Sequence, residues 1–244
     1  MPDDDYGPGA ERRVTAPRAV LFDFSGTLFR FEARDDWFAD LHDEAGQPFH
    51  LDHQAEVVRR MTQPVGVSAD LSEADRIAWE RRDLDPEMHR RAYLAVLRSS
   101  GLSVPGHAEA LYDRVVDPDS WRIFADTESA LRRLAAAGVQ VGVVSNIAFD
   151  LRAVLARHGL ADLVGTYALS YEVGVIKPDP LIFQTALDAL AVPATQALMI
   201  GDSEKADGGA RAVGCAFALV EDGPIAQRRT ALLDALAAHG LAVT

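Results

Sequence analysis

Five short apolar runs, separated by segments of helical periodicity, restrict this chain more than any other feature. They are AVLFDF (19–24), VQVGVVS (139–145), TYALS (166–170), ALMIGD (197–202) and CAFALV (215–220). Apolar and β-branched runs of this length without strict alternation suit strands buried on both faces. Helical patterns lie between and after them, at about 128–137, 148–158, 179–190, 204–213 and 224–238. Strand alternating with helix predicts a parallel sheet covered on both sides: an α/β, Rossmann-like, doubly wound core.

The alternation stops between residues 31 and 118. There the pattern is helical only, in RDDWFADLHDEAG (34–46), DHQAEVVRRMTQP (52–64), SEADRIAWERRDL (72–84), PEMHRRAYLAVLRSSG (86–101) and GHAEALYDRVV (106–116). In the fourth, Met88, Ala92, Tyr93, Val96 and Leu97 form one apolar stripe, and Gly101 offers a C-terminal stop. An insert of about ninety residues is too long for a loop. The expected organisation is a loosely ordered tail at 1–16, a core at 17–30 and 119–244, and an all-helical second domain at 31–118.

Composition narrows the setting. A net charge of −13 disfavours sequence-independent binding to nucleic acid or to an anionic membrane. Cys215 stands alone, which excludes an internal disulfide and fits a reducing, cytoplasmic location; within CAFALV it reads as an inert buried thiol. No apolar run is long enough to span a bilayer, and the acidic N-terminus does not read as a secretory signal. No feature sets an oligomeric state. Lysine occurs only at Lys177 and Lys205, so any role that needs an ammonium is quickly assigned.

In open α/β sheets ligands bind beyond the carboxyl ends of the strands. Here those ends carry Asp23, Ser145-Asn146, Lys177 in the loop after TYALS, and Asp202 with Asp207. Carboxylates clustered with other oxygen donors suit Mg²⁺, which binds through a few acids plus a substrate phosphate. A lysine and a hydroxyl beside them would complete a phosphate cradle. Each feature alone has a plainer reading: Ser145-Asn146 as a helix cap, Lys177 as a loop lysine, Asp202 and Asp207 as helix N-terminal charges. Their joint occurrence with Asp23 favours a site. Arg59-Arg60, Arg81-Arg82 and Arg90-Arg91 read as solvated helix faces, and His50, His53 and His89 as structural.

DFSGTLF, VVSN, KPDP and GDSEKAD stand in the order, and at the strand ends, of the four motifs of the haloacid dehalogenase (HAD) superfamily, which residues 17–222 resemble. The helical insert resembles the cap domain of the subgroup that carries it after the first motif. The resemblance implies a Mg²⁺-dependent hydrolase acting on a small phosphorylated metabolite. Asp23 would be the nucleophile, forming an aspartyl-phosphate or other aspartyl ester. Gly26 and Thr27 would shape the turn that aims it and, with Ser25, border the phosphate. Ser145 and the Asn146 backbone would hold phosphoryl oxygens, and Lys177 would offset charge on phosphate and nucleophile. Asp23, Asp202, Asp207 and the Ser25 backbone carbonyl would hold the metal.

Ser25 departs from the pattern. Phosphatases of this superfamily usually have a second aspartate there, which protonates the departing oxygen and later activates water; such help is worth about 10²–10⁴ in rate. A serine hydroxyl is too weak an acid to replace it. One account is a phosphohydrolase that is slow or restricted to good leaving groups, with a cap group or a water on Ser25 supplying part of the function. A second is a haloacid dehalogenase-type C–halogen hydrolase, although GDSEKAD keeps both metal-binding acids that branch loses. The phosphonate-cleaving branch needs a cap lysine, and residues 31–118 contain none. A third is a regulatory phosphate- or metabolite-binding protein without turnover. Trp37, Phe38, His50, Trp79 and Arg82 are the expected substrate contacts in the cap.

Overall fold

The computed structural model describes residues 16–34, 36–62 and 71–241. Nearly all of the expected tail, together with Asp35 and the end of the expected helix at 52–64, lies outside them. Strand β1 (Ala19–Phe22) leads to β2 (Phe29–Phe31), and then to helices α1 (Leu51–Thr62), α2 (Glu73–Glu80), α3 (Pro86–Ser99) and α4 (His107–Val116). The chain continues through β3 (Trp121–Ile123), α5 (Thr127–Ala136), β4 (Gln140–Ser145), α6 (Arg152–Arg157), β5 (Thr166–Leu169) and α7 (Ser170–Val173). It closes with α8 (Pro180–Leu190), β6 (Ala197–Gly201), β7 (Ala216–Leu219) and α9 (Ala231–Ala238). Five strands form one parallel sheet in the order β5-β4-β1-β6-β7, while β2 and β3 pair antiparallel.

The period of two along a strand sorts side chains between the two faces. Val20, Phe22, Val141, Val143, Leu198 and Ile200 point into one core, filled by residues of α5, α6 and α9. Ala19, Leu21, Val144, Ala197 and Met199 point into the other, against Ile182, Phe183, Ala186 and Leu187 of α8. On that second face Gly142 leaves room for the tip of the Leu21 side chain, which a Cβ there would meet at 2.8 Å. From β1 the chain proceeds outward to β4 and β5, then returns to the opposite side for β6 and β7. The switch point falls between β1 and β6, where Asp23 and Asp202 emerge side by side.

Between β2 and β3, Trp37, Phe38, Leu41, Phe49, Val57, Leu94, Leu97, Leu111 and Val115 share a separate apolar core. Asp85 caps α3 by accepting from the Glu87 and Met88 amides at 2.8 and 3.1 Å, with Pro86 at the first helical position. Gly101, at φ +91°, follows the helix end as its sequence position suggests. Residues 36–46, however, are not helical. Asp43 Oδ1 accepts from the Ala45 and Gln47 amides, Gly46 takes φ +75°, and His42 bridges Pro48. A side chain bonding its own backbone competes with the helix. The expected helix at 204–213 is instead a 3₁₀ segment, Asp207–Val213, within which Gly209 lies against Pro178 too closely for any side chain. Among the described residues no helix is long and apolar enough to cross a membrane.

His89 is buried between these layers. Its Nδ1 and the Tyr112 hydroxyl hydrogen-bond at 2.9 Å, and its ring stacks on Tyr93 with centroids 4.4 Å apart. Burial pushes its pKa from 6.5 down to about 4, helped by the Arg82 charge. The unfolded chain therefore binds this proton first as pH falls. Its contribution is complete above pH 6.5 and is lost progressively towards pH 4, amounting to at most about 3 kcal/mol. Urea unfolding between pH 7 and 4.5 should show that slope in the wild type and a shallower one in His89→Gln.

Candidate active site

The site begins as a turn. Asp23 follows β1, with its amide bonded to the Ile200 carbonyl of β6 at 2.9 Å. The next residues fold back sharply. The Phe24 carbonyl accepts from the amides of Leu28 and Phe29 at 3.0 and 2.9 Å, and the Gly26 amide bonds Phe29 O at 2.7 Å. Gly26 takes φ +80°, and a Cβ on it would collide with the Asp202 carboxylate. Glycine is thus needed both for the backbone and for the space. Arg228 locks the turn from behind, donating to the carbonyls of Gly26 and Thr27 at 2.6 Å each while its guanidinium lies 3.7 Å from the Phe124 ring centroid.

Charge is concentrated beneath that turn. Lys177 Nζ donates to Asp23 Oδ1 at 2.6 Å, Asp207 Oδ1 at 2.7 Å and Val144 O at 2.9 Å, so all three of its protons are used. Asp207 is fully buried and accepts from the Ser203 amide at 2.9 Å; a Cβ on Gly201 would strike it. The Asn146 side chain fixes the loop of Lys177, accepting from its amide at 2.7 Å and donating to its carbonyl at 3.2 Å. Burial raises Asp23 to about 6 against the pull of Lys177, with Asp207 adding to the rise. Asp202 rises to about 7 from burial and from the charges of Asp23 and Asp207. Burial opposes the Lys177 ammonium, but the two carboxylates outweigh it and its pKa lies above the ordinary value.

Asp23, Asp202 and Asp207 each present an oxygen, all within 4.8 Å of one another, the sole such group of three or more ligands among the described residues. Three carboxylates meet one ammonium. The surplus negative charge and the hard oxygen donors fit a divalent cation such as Mg²⁺. Beside the cluster lies a cavity of about 250 Å³, bordered by Ser25, Gly26, Asn146 and Asp202 on the sheet side. Asp23, Thr27, Ser145, Lys177 and Asp207 are buried rather than on that wall, and Thr27 Oγ1 has no hydrogen-bond partner. Larger hollows of about 790 Å³ beside α9 and 780 Å³ along α3 hold no comparable cluster.

The far wall corrects the expectation for the cap. Trp37 and Phe38 belong to the apolar core there, and His50 is exposed beside Asp52. Trp79 packs with Ala78 and Ala92, and Arg82 stacks on it at 4.5 Å while donating to its carbonyl. None of the five borders the cavity. Its far wall is formed instead by Phe31, Asp83, His89, Tyr93 and Phe149. Arg30 and Asp222 form an ion pair at the edge. Helical periodicity points apolar residues towards the cap's own core, so it could not find these. Arg228 lies outside every motif and was equally silent. Asp179 caps α8 and Glu172 pairs with Arg152, while burial raises the Cys215 thiol to about 11, in keeping with an inert buried thiol.

Lys177→Met should destabilise the protein by about 3–5 kcal/mol, since it leaves two buried carboxylates without their partner. Adding Asp23→Asn to that variant should recover part of the loss. Urea midpoints measured in chelator check both.

The sequence pattern of a hydrolase family described as "haloacid dehalogenase-like hydrolase" matches residues 17–214. The zebrafish (Danio rerio) haloacid dehalogenase-like hydrolase domain-containing protein 3 is 37% identical over 95 residues, 39% of each chain. The chain thus spans about two fifths of the length of the first such relatives. A ribulose-1,5-bisphosphate 5-phosphatase of Halopiger xanaduensis is 30% identical over 208 residues, covering 80% of this chain and 81% of that one. Among solved structures, an HAD phosphatase from Thermococcus onnurineus superposes with a TM-score of 0.50 at 25% identity, over 83% of this chain and 86% of that chain. With one family matched from residue 17 to residue 214 and a relative aligned along most of both chains, the protein belongs to the haloacid dehalogenase-like hydrolases.

Proposed function

We propose that this chain is a Mg²⁺-dependent phosphohydrolase that removes phosphate from a small phosphorylated metabolite by way of an aspartyl-phosphate on Asp23. The observation that supports this most is the Lys177 ammonium held between Asp23 and Asp207, with Asp202 alongside. The phosphatase names of the Halopiger and Thermococcus proteins favour the same bond.

Asp23 lies buried beneath the cavity beside Asp202, with one carboxylate oxygen tied to Lys177. Its other oxygen is the nucleophile, attacking phosphorus and splitting one displacement into two easier ones. Lys177 offsets negative charge on both carboxylate and phosphoryl group without needing to move. Ser145 and the Asn146 amide hold phosphoryl oxygens from the end of β4. Asp23, Asp202, Asp207 and the Ser25 carbonyl would hold Mg²⁺, which when bound neutralises carboxylate repulsion and polarises the phosphoryl group. Residues 31–118 act as a cap whose aromatic wall excludes water and selects the substrate. Ser25 cannot supply the proton an ordinary alkoxide leaving group needs.

Acetyl phosphate and p-nitrophenyl phosphate depart with little protonation, so they report on the site regardless of Ser25. Phosphate release from both should require Mg²⁺, disappear with chelator and be abolished in Asp23→Asn. Thermal stabilisation by phosphate plus Mg²⁺ without turnover would establish a binding protein instead. Halide release from a 2-haloacid would place the chain in the dehalogenase branch.

A further inference from the structure

We propose that Asp83, on the cap wall, is the general acid and base of this site, performing the proton transfers that Ser25 cannot. The inference rests on the phosphohydrolase reading above and adds the residue that completes it.

The position of Asp83 is fixed from both sides. It lies in the turn between α2 and α3 and borders the same cavity as Ser25, Gly26, Asn146 and Asp202. Its backbone carbonyl accepts from Ser170 Oγ at the start of α7. That hydroxyl in turn accepts from the Ile147 amide at 2.8 Å, immediately after Ser145-Asn146. The cap residue is therefore tethered to the loop expected to hold the phosphate. The Asp83 side chain is 25% exposed, reachable from the cavity yet largely removed from bulk water. Its nearest cation, Arg82 Nη2, is 3.5 Å away, beyond good hydrogen-bonding distance.

The other polar groups around the cavity are less suited. Asp202 belongs to the carboxylate cluster, and Asp222 is committed to Arg30. His89 and Tyr93 on α3, Arg82 beside it and Lys177 below are the titratable and charged groups that surround Asp83. Burial holds the Asp83 carboxyl above the usual carboxylate range, opposed by Arg82 and Lys177. Tyr93 is raised to about 12 and His89 lowered to about 4, so neither exchanges a proton readily near neutrality. With Asp202 held in the carboxylate cluster and Asp222 paired with Arg30, Asp83 is the remaining carboxyl on the cavity wall, placed to give a proton and take one back.

The two half-reactions balance. Asp23 attacks phosphorus, the bond from phosphorus to the ester oxygen breaks, and that oxygen leaves with the electron pair and the Asp83 proton as an alcohol. Asp83, now a carboxylate, takes a proton from water as the water oxygen attacks the aspartyl-phosphate. The bond from phosphorus to Asp23 breaks with its electron pair returning to the carboxylate, inorganic phosphate departs, and Asp83 is again protonated.

The test compares leaving groups. Wild-type kcat should vary weakly along a series from p-nitrophenyl phosphate to phenyl phosphate and glycerol 3-phosphate. Asp83→Asn should lower kcat on glycerol 3-phosphate by about 10²–10⁴-fold. The burst of p-nitrophenol from p-nitrophenyl phosphate should change less than about threefold, which also shows that the variant is folded. Ser25→Asp should restore much of the alkyl ester rate to Asp83→Asn while adding little to the wild type; an equal gain in both backgrounds overturns the assignment. A steep fall of wild-type kcat with poorer leaving groups, or an Asp83→Asn enzyme unchanged on glycerol 3-phosphate, overturns the assignment while leaving the phosphohydrolase intact. Silence of the wild type on every ester overturns both.

Discussion

The Lys177 ammonium is the interaction on which the rest of the site depends. It joins the ends of β1 and β4 to the 3₁₀ segment after β6, spending its three protons on Asp23, Val144 O and Asp207. Isolated carboxylates at those depths would be too costly to keep ionised. With Lys177 in place two are tolerated, and Asp202 adds a third at the edge of the cavity. Only the sheet order makes this arrangement possible. Parallel strands β4, β1 and β6 are neighbours, and all their carboxyl ends open on one side.

Around that centre the backbone is held close by residues with no chemistry of their own. Gly26 and Gly201 let the turn and the end of β6 approach Asp202 and Asp207 more closely than any side chain would permit. Arg228 satisfies two carbonyls of the turn, and Thr127 Oγ1 donates to a third, Leu28 O, at 2.8 Å. Rigid placement matters because stabilisation of developing charge depends on donors that need not reorganise. The turn after Asp23 is thus fastened from α5 and from the segment before α9, far away in sequence.

The helical insert completes the enclosure in a different way. Its helices bury a core of their own, and only a few residues face the sheet. Phe31, Tyr93, Trp121 and Phe149 give the cavity aromatic surface, while Asp83, Arg30 and Asp222 add polar contacts. Ser170 couples the two halves by bonding the Asp83 carbonyl from the core side. The cavity thus sets aromatic surface on one side against Asp202 and the buried carboxylate cluster beneath it on the other.

The sequence by itself determined the sheet and its contents. Doubly buried strands must be continuously apolar, so β1, β4 and β6 were legible from composition alone, as were the acids, hydroxyl, amide and lysine at their ends. The apolar stripe and the Gly101 stop likewise marked α3 and its end. Local competition defeated the reading around residues 43–47, where Asp43 bonds its own backbone. Only the tertiary structure decided which cap residues border the cavity. Helical periodicity records which face is buried, but not whether it is buried in the cap's own core or against a substrate. For that reason Trp37 and Phe38 turned inward, while Asp83 and His89 reached the cavity wall. Arg228 is the extreme case, since its partners lie about two hundred residues away and nothing local in the chain marks it.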